Sequence, residues 1–193
     1  MNATGAAALA LGEPELSLVA WYGERGAAYS YRNPNDTIHY SQRPEAHLTD
    51  KFVDTGAFAG DRADLFGLEA AWVNGPLSVQ SEYMKAYADR TGASDVDFDG
   101  YYVQASYFLT GEHRNYKTSE GAFSRIKPKK NYGKEGGLGA WEVAARYSGL
   151  DLNDSDIAGG RLNDITTGLN WYLNPNTRIM WNYVYADKND VGQ

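Results

Sequence analysis

The sequence has no cysteine and only three histidines among its 193 residues. The lack of cysteine excludes disulfide bonds and thiolate metal sites. His39, His47 and His113 are far apart in the chain, so we expect no zinc site built from them. We therefore predict neither a metal centre nor another cofactor.

Long apolar runs are absent too. No stretch approaches the roughly 20 apolar residues that a membrane-spanning helix needs. The formal net charge of −7 disfavours nucleic acid as a partner. The sequence shows no nucleophile–base constellation and no glycine loop that would cradle a phosphate, so we predict no catalytic residue and no enzyme.

What the chain has instead is alternation of apolar residues with small or polar ones. In "DLFGLEAAWVN" (64–74), an extended strand would place Phe66, Leu68 and Trp72 on one face and Gly67 and Glu69 on the other. This period of two is typical of β-strands. The same pattern recurs in "LSVQSEYMKAYA" (77–88), "GYYVQASYFL" (100–109), "AWEVAARYS" (140–148), "ITTGLNWYL" (165–173) and "RIMWNYVY" (178–185).

These segments and a hairpin around 33–36 predict about eight strands, or nine if "ELSLVAWY" (15–22) is one. Many are long enough to cross a bilayer at a tilt. We predict short turns at 33–36, 74–76 and 174–176, and longer loops at 45–63, 111–138 and roughly 150–160. Short turns on one side and longer loops on the other are typical of outer-membrane barrels. Simple alternation of strands places the long, basic segment 111–138 on the short-turn side, so we expect it to fold inward.

Aromatic residues cluster beside the predicted turns. A belt at the membrane–water boundary favours aromatic rings with one end in water, and it fits Trp72, Trp171, Trp181 and Tyr183. Tyr172 fits as well if it points inward near the mouth of the barrel. The alternative is a soluble β-sandwich with these rings in its core. Alternation and turn asymmetry together favour an all-β fold, an antiparallel transmembrane β-barrel of outer-membrane porin type.

Basic residues on the polar strand faces and in segment 111–138 are the candidate functional groups. Rings of Arg and Lys in a pore select anions, because a guanidinium can replace part of the hydration shell of an oxyanion. The candidate anion-binding and pore-lining residues are Arg32, Arg43, Lys117, Arg125, Lys127, Arg146 and Arg178. Glu69, Glu82 and Glu142 also fall on polar faces, so the predicted lumen carries both signs of charge.

Several strings resemble the C-terminal part of the phosphate-selective porin O and P family, in order and from about residue 26 onward. They are "SQRPEAHLTDKFVDTG" (41–56), "LFGLEAAWVNGPLSVQSEYM" (65–84), "YFLTGEHRNYK" (107–117), "WEVAARYSGLDLND" (141–154) and "GLNWYLNPNTRIMWNYV" (168–184). The resemblance implies a 16-stranded, trimeric barrel in the outer membrane of a Gram-negative bacterium, surrounded by outer-membrane lipid. It also implies conduction of phosphate, polyphosphate or other small anions.

The resemblance implies roles for particular residues as well. Arg32 and Arg43 fall where interior arginines are expected, and 45–63 would be an inward-folded loop. Segment 111–138 resembles an inward-folded turn whose candidates for the constriction are Lys117, Arg125 and Lys127.

We divide the chain into an N-terminal segment, 1–25, with room for one strand, and the C-terminal part of a barrel, 26–193. About eight of sixteen strands would leave two unpaired edges, which lipid does not tolerate. We therefore expect the chain to be a portion of a longer protein, or to pair with a second chain. Two other functions stay open: a general or differently selective pore, and a non-conducting structural or surface-binding β protein.

Overall fold

The computed structural model describes residues 7–11, 15–26, 37–117, 122–134 and 136–189. They form one nine-stranded antiparallel sheet and a separate two-stranded ribbon. The strands are β1 (Ala7–Leu11), β2 (Glu15–Gly26), β3 (Thr37–Gln42), β4 (Val53–Asn74), β5 (Leu77–Arg90), β6 (Val96–Phe108), β7 (Tyr116–Lys117), β8 (Ala122–Phe123), β9 (Ala140–Asp154), β10 (Ile157–Asn174) and β11 (Thr177–Asn189). Among these residues, no helix is long and apolar enough to span a membrane.

The sheet runs in the order β1-β2-β4-β5-β6-β9-β10-β11, and β3 pairs only with the first part of β4. From β4 onward, each strand therefore lies beside the next one in the chain, apart from the β7–β8 ribbon. β4 and β5, and likewise β10 and β11, join through two-residue turns, and Gly75 in the β4–β5 turn has a φ of +54°, a conformation that favours glycine. The sequence prediction of an all-β antiparallel fold is confirmed.

The two faces of the sheet have the opposite character to those of a soluble protein. Leu68, Tyr83 and Tyr101 lie opposite one another on adjacent strands, and Leu68 is 49% exposed. On the other face, Ser78 is 5% exposed and Glu142 is completely buried. A sheet with apolar residues outside and polar residues inside suits lipid on its outer face, as in a porin wall, and argues against the β-sandwich alternative.

The outer apolar band has the height of a membrane. On β9 the outward residues run from Trp141 to Gly149 before the first charged one, Asp151, which pairs with Arg161. Trp141 and Asp151 are ten residues apart, about 33 Å along the strand and about 25 Å along the membrane normal at a tilt of about 40°. On β5 the charged boundary is marked by Lys85, directly opposite Asp99 on β6.

An aromatic belt marks the edge of this band. The rings of Trp141 and Trp171 stack with centroids 4.9 Å apart, and Trp171 Nε1 donates a hydrogen bond to the carbonyl of Leu138 at 2.8 Å. Such a ring, apolar at one side and hydrogen-bonded at the other, is typical of the membrane–water boundary. Trp181 and Tyr183 lie closer to the middle of the band, opposite Leu169 and Thr167 of β10.

Two predicted loops are shorter than expected. β4 begins at Val53, so the loop predicted at 45–63 covers only residues up to 52. β9 and β10 are joined by a two-residue turn at 155–156, and the loop predicted at roughly 150–160 was wrong. Leu152 and Ile157 are buried on the inner face, and this packing extends both strands into a segment rich in turn-forming residues.

The contrast between short turns and long loops is therefore weaker than predicted. The β5–β6 connection, 91–95, and the turn at 155–156 are both short, and both lie at the end of the sheet where longer loops were expected. The hairpin predicted around 33–36 lies outside the described residues.

Residues 37–60, here called the inner hairpin, fold across the inner face. The hairpin consists of β3, the loop 43–52 and the first part of β4. Tyr40 packs edge-on against Phe98 of β6, with ring centroids 5.4 Å apart. Val53 belongs to one buried cluster with Phe98 and with Leu162 of β10. The hairpin is thus held over the inner face by apolar contacts.

The described residues of segment 110–139, here called the inner loop, fold inward from the opposite end of the sheet. Ile126 is buried against Phe108 and Tyr172, which also confirms that Tyr172 points inward. The amide of Tyr132 donates to the carbonyl of Leu173 at 2.8 Å. The expectation that segment 111–138 folds inward is confirmed for its described residues.

Candidate functional site

Two clefts open on the inner face of the sheet. The central cleft is lined mainly by hydroxyl, amide and guanidinium groups, those of Ser78, Gln80, Gln104, Ser106, Arg114, Arg146, Thr166, Asn170 and Asn182. The turn-side cleft lies between the inner loop and the β10–β11 turn and is lined by Arg114, Ser124, Arg125, Tyr172, Asn176 and Arg178, among others. Both surfaces are polar and rich in arginine, so we take them as the candidate site.

The inner loop is anchored beside these clefts by an ion pair between the half-buried Arg114 and the fully buried Glu142. Arg114 donates from Nε to Glu142 Oε1 at 3.0 Å and lies over the ring of Phe123. The other carboxylate oxygen accepts hydrogen bonds from Asn170 Nδ2 at 3.0 Å and from the hydroxyl of Tyr172 at 2.9 Å. A buried charge is stable only when it is paired and hydrogen-bonded in this way. Arg114 is therefore largely neutralised.

Arg125 and Arg178 differ from Arg114, because each meets a neutral acceptor. Arg125 NH1 donates to Asn176 Oδ1 at 2.7 Å, and Arg178 NH1 donates to the Tyr172 hydroxyl at 3.3 Å. Within the described residues, no carboxylate forms an ion pair with either guanidinium. Their positive charge is not cancelled locally, which is the condition for attracting a solute anion.

Arg146 lies on the inner face, as its place in β9 predicts, and is paired with Glu45 of the inner hairpin. Its Nε is 2.5 Å from Glu45 Oε1, and its guanidinium lies 3.8 Å from the centroid of the Tyr102 ring. NH1 also contacts Gln104 Oε1 at 3.4 Å. This arginine is held between an aromatic ring and a carboxylate.

The other predicted site residues are less well placed. Arg43, expected on the polar face of a strand, lies exposed in the loop because β3 ends at Gln42. Lys127 is exposed in the inner loop. Arg32 and the side chain of Lys117 lie outside the described residues.

Acidic residues share the inner face, as the sequence predicts. Glu69 and Glu82 lie directly opposite one another on β4 and β5. Glu45 and Asp164 add two carboxylates beside Arg146. The inner face is thus basic near the β10–β11 turn and mixed near the inner hairpin.

Sequence reasoning missed Glu45 and the pairing of Arg114 with Glu142. Arg114 lies in a recognisably basic run, but its partner is on another strand. Glu45 gives no local signal at all, because its contacts are with Ser148 and Thr166, far along the chain. Only the inward fold of the hairpin brings these groups together.

An antiparallel wall that is apolar outside and polar inside, with segments folded over its polar face, defines a β-barrel protein of the porin class. Residues 20–193 match the phosphate-selective porin O and P family, and the chain belongs to that family.

Two relatives illustrate the similarity. Porin O of Pseudomonas aeruginosa is 33% identical over 197 residues, which cover 86% of this chain and 44% of that protein. An uncharacterized protein of Caulobacter vibrioides is 35% identical over 149 residues, which cover 77% of this chain and 30% of that protein. The chain thus spans less than half the length of either relative.

Proposed function

We propose that the protein to which this chain belongs is a passive channel of the Gram-negative outer membrane that conducts small anions, inorganic phosphate among them. The wall described above supplies about half of such a barrel, and the remaining strands would close it. We also propose that the complete protein is a homotrimer, as the family resemblance implies.

The observation that carries the proposed selectivity is the turn-side cleft. Arg125 and Arg178 both line it, and both are hydrogen-bonded only to neutral groups within the described residues. A guanidinium can bind phosphate through two parallel hydrogen bonds. The name of the family, which describes its members as phosphate-selective, is consistent with this choice of solute.

A pore of different selectivity is the second candidate, and the inner face offers an observation in its favour. Glu69 and Glu82 face each other near the middle of the wall, and Glu45 neutralises Arg146. Carboxylates in a lumen attract cations, so the same barrel could conduct both kinds of ion.

Single-channel conductance of the full-length protein in planar bilayers tests the proposal. Chloride carries the current while phosphate is added, and the double variant Arg125→Gln/Arg178→Gln is compared with the wild type. The matched control is Arg161→Gln, which removes an arginine from the outer face, where it pairs with Asp151.

We expect phosphate to block the chloride current of the wild type and of the control, and to block the double variant at least about tenfold more weakly. Channels that conduct but ignore phosphate would refute the selectivity. The absence of any channel would refute conduction itself and favour a structural or surface-binding protein.

A further inference from the structure

Three donor groups of the inner face converge on the carboxylate of Glu45. Ser148 Oγ donates to Oε1 at 2.9 Å, and Thr166 Oγ1 donates to Oε2 at 2.5 Å. Arg146 Nε lies 2.5 Å from Oε1 and completes the group. Arg146 and Ser148 come from β9 and Thr166 from β10, so adjacent strands of the wall hold one carboxylate of the inner hairpin.

We propose that Arg146, Ser148 and Thr166 form an oxyanion-binding site in the pore, and that Glu45 occupies it as the chain's own competing carboxylate. The proposal rests on the proposed function in one respect, that solutes reach this face. A carboxylate is itself an oxyanion, so the contacts of Glu45 show what the three donors can hold. One guanidinium with two hydroxyls is a donor set suited to such a group.

Contacts within the protein already hold the Arg146 guanidinium in position, independently of any solute. The Arg146 guanidinium lies over the Tyr102 ring at 3.8 Å, a stacking that limits its rotation. Gln104 Oε1 contacts its NH1 from the neighbouring strand. An arginine fixed in this way loses little further freedom when it binds an anion.

Glu45 satisfies the site only in part. Although Arg146 Nε is close to the carboxylate, its N–H is not aimed at an oxygen, and it is a buried nitrogen without a directed hydrogen bond. The close contact is therefore a charge pair rather than a hydrogen bond. A solute that could align with this N–H would gain an interaction that Glu45 does not make.

The surrounding charges indicate the class of ligand. One guanidinium faces one carboxylate, so the site as built balances a single negative charge. Asp164 lies beside the site, and its Oδ2 accepts a hydrogen bond from the Glu45 amide at 3.2 Å. Its negative charge would repel a second negative charge on the ligand. We therefore assign to the site a singly charged oxyanion, and a small carboxylate reproduces the resident group most closely.

Calorimetric titration of acetate into the full-length protein in detergent tests the assignment. Glu45→Gln removes the competing charge and keeps the size of the side chain. We expect this variant to bind acetate at least about tenfold more tightly than the wild type. We expect Glu45→Gln/Arg146→Gln to lose the gain, because the guanidinium supplies the charge that holds acetate.

Glu69→Gln is the matched control, since it removes another carboxylate of the same face that lies on β4, away from these donors. Equal gains in Glu45→Gln and Glu69→Gln would show a general effect of pore charge and overturn the site. A gain that survives the Arg146 substitution would overturn it too, as would unchanged affinity in Glu45→Gln.

A second variant tests the proposal independently, in case Glu45→Gln/Arg146→Gln does not fold. Ser148→Ala/Thr166→Val in the Glu45→Gln background removes both hydroxyls and leaves the arginine in place. We expect weaker acetate binding than in Glu45→Gln alone, and unchanged binding would contradict the proposed donor set. Because the titration measures binding directly, its result does not depend on whether the protein conducts.

Discussion

The inner hairpin and the inner loop cover the same face of the sheet but are held by a different balance of apolar and charged contacts. The hairpin packs through Tyr40 and Val53 onto a cluster that includes Phe98 and Leu162. The inner loop is anchored by the ion pair of Arg114 with the fully buried Glu142, by a small apolar cluster and by hydrogen bonds such as that from the Tyr132 amide to the carbonyl of Leu173. Apolar contacts are spread over many atoms, whereas a buried charge pair fails when either partner is lost. The comparison teaches that the loop relies more on one charged pair and the hairpin more on a spread of apolar contacts.

The largest effect should come from breaking the ion pair. Glu142→Ala removes the carboxylate that pairs with the half-buried Arg114 guanidinium and accepts from Asn170 and Tyr172, and we expect it to destabilise the protein by about 4 kcal/mol. The inner loop should detach, and trypsin should then cut after Lys129 and Lys130 far faster than in the wild type. Glu69→Ala is the control, and an equal rise in cleavage there would argue against a special role for Glu142.

A smaller loss of stability is expected from a change in the apolar cluster beneath the hairpin. Leu152→Ala leaves a cavity beneath it, and we expect about 3 kcal/mol of destabilisation in urea unfolding from micelles. The hairpin should stay in place, because Val53, Phe98 and Leu162 still pack together. Fast cleavage at Lys51 in this variant would show that the hairpin is as easily released as the inner loop.

Replacing both Arg114 and Glu142 tests whether the unpaired guanidinium causes the loss of stability in Glu142→Ala. Arg114→Met combined with Glu142→Gln removes both charges and keeps an acceptor for the Tyr172 hydroxyl. We expect a loss of only about 1 kcal/mol, because exchange of a buried ion pair for uncharged groups of similar volume is often nearly neutral. If the double variant were as unstable as Glu142→Ala, the unpaired guanidinium would not be the cause of that instability.

The smallest effect concerns an ion pair on the protein surface beside the hairpin. Arg90 lies over the Phe58 ring and forms an ion pair with Asp156 in the β9–β10 turn. The Arg90 hydrogen bond lowers the pKa of Asp156 to about 2. Since the folded-state pKa is depressed, the pair contributes fully above the unfolded value of about 3.9 and is lost as pH falls through about 2.

Carbon-13 NMR of the Asp156 carboxyl group should therefore show its midpoint near pH 2. In Arg90→Gln the midpoint should move up toward the ordinary value for aspartate. A midpoint that is the same in both proteins would mean that Arg90 does not stabilise the charged carboxylate.

Much of the wall could be predicted from the sequence, because a period of two depends only on neighbouring residues. This alternation placed Phe66 and Leu68 on the outer face of the sheet, and Glu142 and Tyr172 on the inner face. The up-and-down alternation of strands added the inward fold of segment 111–138, which the family resemblance also implies. These predictions needed only local alternation and characteristic strings.

The parts that could not be predicted depend on contacts between distant segments. The sequence "NDSD" (153–156) suggests a loop, yet the strands continue to both sides of a two-residue turn because Leu152 and Ile157 are buried. The pairing of Glu45 with Arg146 joins segments about a hundred residues apart. No local pattern contains that information.

The hydrogen bond from Trp171 to Leu138 links the inner loop to the lipid surroundings. Leu138 lies at the end of the loop where the chain returns to the wall, and Trp171 belongs to the aromatic belt. A wall adapts to a thicker or thinner bilayer by changing its tilt or by deforming the lipid around such anchors. Through this indole, we expect hydrophobic mismatch at the outer surface to act on the segment that folds over the inner face.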